Sequence, residues 1–152
     1  GAQGVIACQG GNMSGWSLYL DNHGKPTYHY NCFGQYLTTI RAEDPLVDGD
    51  HEITIDYQHD GGFGSGGLAT LYVDGESVNS DRIERTVPII FSMSGETFDV
   101  GIDTGAPVGP YPHGYPFSGE IHEVVLERMS RRDRETRKKM KDGLKQAGLR
   151  SQ

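Results

Sequence analysis

Asp99 and Asp103 stand four residues apart in the run GETFDVGIDTGAPV, residues 95–108. Carboxylates are the usual ligands of calcium, an ion that takes six to eight oxygens. On an extended strand their spacing is about 13 Å, so the two can share an ion only if a bulge folds the chain between them. Either can instead cap the Thr104-Gly105-Ala106-Pro107 turn through an Asx hydrogen bond. Asp74, Asp81 and Glu96 are the other carboxylates within reach of such a site, and none of the acidic loops has EF-hand spacing. Calcium is therefore the one cofactor that the residue types leave open, with Asp99 and Asp103 as its weak candidates.

A second chemistry is recognition by aromatic rings. The loop GPYPHGYP, residues 109–116, presents Tyr111, His113 and Tyr115 shortly after Asp103. Loops carry recognition where a fold carries any, and these four residues are the candidate contacts to a glycan or a neighbouring domain. Bond-making chemistry finds less support. Glu52 with Asp56, or Glu120 with His122, offers the residue types of a glycosidase pair, which must face each other across about 5 to 10 Å. Without a Glu-x-Asp-x-x-Glu run they read as the wet face of a strand. Six scattered histidines form no His-x-His or His-x-x-x-His pair, the spacing that a zinc site favours. Gly61 to Gly67 lacks the Lys-Ser/Thr of a phosphate loop and reads as a flexible connector. Alternation puts Ile6 on one face with Cys8, and Tyr28 and Tyr30 with Cys32. Both cysteines are expected as buried free thiols, since a disulfide needs Cα atoms within about 7 Å. No catalytic residue is assigned.

The elements that must position these residues are strands. Alternating runs at 5–9, 16–21, 26–31, 36–41, 51–60, 68–73, 76–85, 86–93, 98–103 and 117–127 are separated by Gly, Pro, Asn and Asp. Asp74-Gly75 suits a type I′ hairpin tip. About ten short strands in 152 residues predict an all-β protein, a two-sheet antiparallel sandwich over residues 1–128. Residues 129–152 differ. Ser130 and Asp133 form a capping pattern, helix formers follow, and a helix is expected from about Arg131 to Ala147, closed by Gly148. The formal charge of −7 divides accordingly. After Glu127 there are ten Lys and Arg against three Asp and Glu; the preceding residues hold four basic and eighteen acidic side chains. So acidic a body repels nucleic acid, and its basic tail carries no aromatic for base stacking. A helix with so few apolar residues docks lightly on acidic surface or frays. No run is apolar and long enough to span a membrane, and no signal peptide is recognisable.

Three stretches, FDVGIDTGAPVGPYPHGYPFSGEIHEVVLE (98–127), GVIACQGGNMSGWSLYL (4–20) and GGLATLYVDGE (66–76), together resemble the C-terminal accessory domain of bacterial arylsulfatases. The resemblance spans most of residues 4–127 and omits the tail. It implies a jelly-roll sandwich of the concanavalin and laminin-G kind, and a periplasmic or secreted setting. The implied partner is the sulfatase catalytic domain or a second copy of the chain. Sulfatases of this class use a formylglycine made within Cys/Ser-x-Pro-x-Arg. Here Cys8 is followed by Gln-Gly-Gly-Asn and Cys32 by Phe-Gly-Gln-Tyr, so the chain is expected to be no enzyme on its own. The alternative is a free-standing carbohydrate-binding module, with calcium at Asp99 and Asp103.

Overall fold

Eight strands in two antiparallel sheets and one C-terminal helix make up the computed structural model, which describes residues 1–88 and 98–150. The strands are β1 (Gly4–Gly10), β2 (Ser14–Leu20), β3 (Pro26–Cys32), β4 (Tyr36–Arg41), β5 (Ile53–His59), β6 (Ser65–Val73), β7 (Glu76–Arg85) and β8 (Phe98–Val100); the helix α1 is Arg131–Arg150. The larger sheet has the order β4-β3-β2-β1-β8 and the smaller β5-β6-β7. Each is a meander of sequence neighbours, except that β8 returns to pair with β1. The sandwich plus helix expected from strand periodicity is what folds. Most of the run expected as a strand at 86–93, and Glu96, lie outside the described residues.

The interior lies between the sheets. Tyr28, Tyr30, Cys32 and Ile40 from the larger sheet meet Ala69, Leu71 and Ile83 from the smaller, with Trp16, Leu18, Ile53, Ile55 and Tyr57 around them. These residues alternate in sequence because strand side chains point to opposite faces. At the hairpin tip Asp74 and Gly75 have φ of 51° and 81°, the paired positive values of a type I′ turn.

The larger sheet is also covered on its outer face. Val5, Cys8 and Tyr19 are buried there under Val108, with Tyr111 and Tyr115 packed alongside. A β-bulge between Val5 and Ala7 shifts the register of β1 on β2, so Val5 shares a face with Cys8. The expectation that Ile6 does so is corrected: the extra residue of a bulge reverses the alternation beyond it. Cys8 and Cys32 belong to the cores on opposite sides of one sheet, and both are free thiols.

Two further expectations change. Residues 65–67 are not connector but the start of β6, paired with both neighbours. A Cβ on Gly66 would stand 2.0 Å from the Ile83 carbonyl oxygen, so the glycines serve close backbone approach rather than flexibility. The expected strand at 117–127 does not form. Pro116 makes an isolated bridge to Val5, Phe117 N–H donates to Gly101 O and Ser118 N–H to Gln3 O, and no ladder follows. One compact unit is Gly1–His122, and a second runs from Glu123.

In that second unit Ser130 caps α1 as expected. Asp133 N–H donates to Ser130 Oγ at 3.2 Å, and Ser130 N–H reaches back to Asp133 Oδ2 at 3.3 Å. The helix continues past Gly148 to Arg150, so that glycine does not close it. Among the described residues no helix is long and apolar enough to cross a membrane.

Candidate functional site

The site is built by what interrupts β8. Gly101 has φ of 78°, a conformation that glycine adopts without penalty, and its N–H donates to Ile6 O at 2.9 Å. The chain turns there instead of running on extended. Asp103 is drawn back toward Asp99, which sits opposite Cys8 in the β1–β8 register. One sulfur from Cys8 and one carboxylate oxygen from each aspartate lie within 4.8 Å of one another. The 13 Å separation of an extended strand is thus corrected, and a third donor joins.

Each carboxylate is held from outside. Asp99 Oδ2 accepts from the Thr104 N–H at 2.8 Å and its hydroxyl at 2.7 Å, the turn-capping role anticipated for it. Asp103 is 1% exposed. Its Oδ2 accepts from the Tyr111 hydroxyl at 2.7 Å and the Val108 N–H at 3.1 Å, while Oδ1 has no hydrogen-bond partner. Burial, and then the Asp103 and Asp99 carboxylates, push the Cys8 thiol up to about 12, so it is protonated at neutral pH. Burial likewise raises the Tyr111 hydroxyl, which keeps it a donor to Asp103.

The tyrosine loop is a cover, not a rim. Tyr19 meets Tyr111 edge-on at 4.9 Å between ring centroids, and Tyr111 stacks on Tyr115 at 5.6 Å. Val5 N–H donates to Tyr115 O and Asp103 N–H to Gly114 O, both at 2.9 Å. Of the four expected contact residues, Asp103, Tyr111 and Tyr115 come together as one packed set, whereas His113 is exposed beside it. His29 is buried on the same outer face, its Nδ1 2.8 Å from Thr39 Oγ1, and desolvation lowers its basicity.

No family model, no curated protein and no solved structure matches this chain. Its chemistry is read from its own residues.

Outside the covered face, the described residues include a depression of about 400 Å³ lined by Phe33, Tyr36, Phe63, Arg85, Thr86 and Pro88 among others. Phe63 is 81% exposed and Phe33 46%. Phe33 also has φ of 56°, a left-handed backbone uncommon for a bulky residue. The Arg85 guanidinium stands 5.1 Å from the centroid of Tyr36. Sequence periodicity had no means of finding this place, because Phe33 and Phe63 lie in loops between strands.

The remaining carboxylates are dispersed. Asp74 is bound at the hairpin tip, where its Oδ2 is 2.8 Å from His51 Nδ1 and its Oδ1 accepts from the Glu52 N–H. Asp81 lies on β7. Glu52 is exposed, and the Asp56 carboxylate accepts from Gln58 on the same strand. His122 lies 3.7 Å from Glu120 and 3.5 Å from Asp50, all with well exposed side chains.

Proposed function

We propose that this chain is a non-catalytic β-sandwich module, related to the C-terminal domain of arylsulfatases, that works by burying surface against a catalytic domain. The observation that carries the reading is the depression at Phe33, Tyr36 and Phe63. An outward phenylalanine forgoes the roughly 1.5 to 3 kcal/mol that burying such a side chain gains. A left-handed non-glycine residue costs about 1 to 3 kcal/mol more. Both costs are offset when a second protein surface covers the place. Apolar patches of this kind with polar groups beside them are where proteins meet; here Gln35, Arg85 and Thr86 are among the lining residues. The motif resemblance names the kind of partner, a sulfatase catalytic domain, with a second copy of the chain as the other source of surface.

The coding region upstream of Gly1 and the isolated chain test this together. A Cys/Ser-x-Pro-x-Arg domain is expected upstream, and the isolated chain is expected not to hydrolyse an aryl sulfate. Phe33→Ser with Phe63→Ser should weaken the hold of the catalytic domain, supplied separately, by at least tenfold. An upstream region without that motif, or association untouched by the double substitution, contradicts the reading. A lectin-like role draws on the same rings, since a sugar stacks on an exposed aromatic face. Glycan binding abolished by Phe63→Ala in a chain with no upstream sulfatase domain would favour it.

A further inference from the structure

We infer that Cys8, Asp99 and Asp103 form a binding site for one divalent cation of the zinc class, set in the outer layer of the sandwich between β1 and the turn after β8. Three donor atoms, one sulfur and two carboxylate oxygens, already lie within 4.8 Å of one another. In a tetrahedral zinc site with bonds of about 2.0 to 2.3 Å, ligand atoms stand roughly 3.3 to 3.8 Å apart. The donors therefore need to close by at most about 1.5 Å.

A separate observation points to the same cation. Asp103 is 1% exposed, with Oδ2 committed to Tyr111 and Val108 and Oδ1 left without a hydrogen-bond donor. A buried carboxylate oxygen without a partner is costly, and it is the oxygen that a cation would take. The surrounding contacts are those that hold carboxylate ligands in place: Tyr111 on Asp103, and the Thr104 N–H and hydroxyl on Asp99. Ile102 O, 4.0 Å from Cys8 Sγ, or a water supplies the fourth position. Asp99 is only half-buried and gives the ion its way in.

The donor set selects the ion. Calcium takes six to eight oxygens and not sulfur, whereas a thiolate with two carboxylates suits zinc, cobalt and cadmium. On binding, the Cys8 thiol gives its proton to solvent and the thiolate bonds the metal; no electron is transferred.

The reduced full chain, titrated with Co²⁺ alone and then with Zn²⁺, tests the site. One equivalent of Co²⁺ should produce a thiolate-to-cobalt charge-transfer absorption that Zn²⁺ displaces and excess Ca²⁺ does not. The chain has two cysteines, so persistence of that absorption in Cys32→Ser assigns it to Cys8 even where substitution of Cys8 impairs folding. Asp99→Asn, at the least buried ligand, should weaken Zn²⁺ binding at least tenfold while near-ultraviolet circular dichroism stays that of the native chain. Removing an outer-shell partner alone commonly costs 10 to 100-fold. The inference is overturned if saturating Co²⁺ gives no thiolate absorption, if Cys32→Ser abolishes it, if Asp99→Asn binds Zn²⁺ as tightly as the native chain, or if Ca²⁺ competes equally.

Discussion

Asp103 and Tyr111 show how a single polar contact holds the outer layer. The Tyr111 hydroxyl donates to an Asp103 side chain that is almost wholly buried, so removing it leaves that buried oxygen with the Val108 N–H alone. Tyr111→Phe should destabilise the sandwich by about 1 to 3 kcal/mol, the range for an unsatisfied buried group, as read by urea unfolding; a change below a few tenths would contradict this account. His51 gives the pH-dependent counterpart. Hydrogen bonding to Asp74, and then to the Val47 carbonyl, raises its pKa above the ordinary value of 6.5, while Asp74 is lowered chiefly by the same bond. The stability from the raised histidine is fully present below its unfolded pKa and is lost as pH climbs from about 6.5 through the folded value. That from Asp74 is present above the unfolded carboxylate pKa and is lost as pH falls through the lowered one. An NMR titration should find His51 above a free histidine, with Asp74→Asn bringing it back down. An unmoved His51 in that variant would remove the pair from the account.

At the scale of elements, the sheets hold together by close backbone approach at one end of β6 and by side-chain packing along the rest. Leu71 is fully buried between the sheets, and Leu71→Ala should cost about 2 to 5 kcal/mol. Gly66→Ala should lower the thermal midpoint as well, since its methyl group would stand 2.0 Å from Ile83 O. A Gly66→Ala chain as stable as the native one would show that β6 and β7 can separate there without cost. These elements also mark what was legible in advance. Strands β1 to β5 and the β6 to β7 hairpin were visible because their alternation and turn residues are local signals, as was the Ser130 cap. The failures were tertiary. A bulge in β1 leaves no mark in composition, so Val5 rather than Ile6 joins Cys8. The run at 117–127 has strand-like residues, yet after Ser118 no neighbouring strand offers it a ladder. Asp99 and Asp103 were recognised as a pair, but the partnership with Cys8 arises from the β1–β8 register, between segments some ninety residues apart.

On the scale of the whole molecule, the sandwich has two buried layers: one between the sheets, and one where the tyrosine loop closes over the larger sheet. The loop expected to meet a ligand is thereby used to finish the fold, and among the described residues the Phe33–Tyr36–Phe63 depression presents aromatic surface outward. The proposed role follows from that exchange, with burial of this surface by a catalytic domain as its central claim. Hydrogen–deuterium exchange on the chain alone and with a sulfatase catalytic domain added tests the claim most directly. The Gly34 and Gln35 amides, which donate to Asn31 Oδ1 and Cys32 O, report on the depression. Slower exchange of these amides with the catalytic domain present, with β2 unchanged, is the predicted result; equal exchange in the two samples would contradict it.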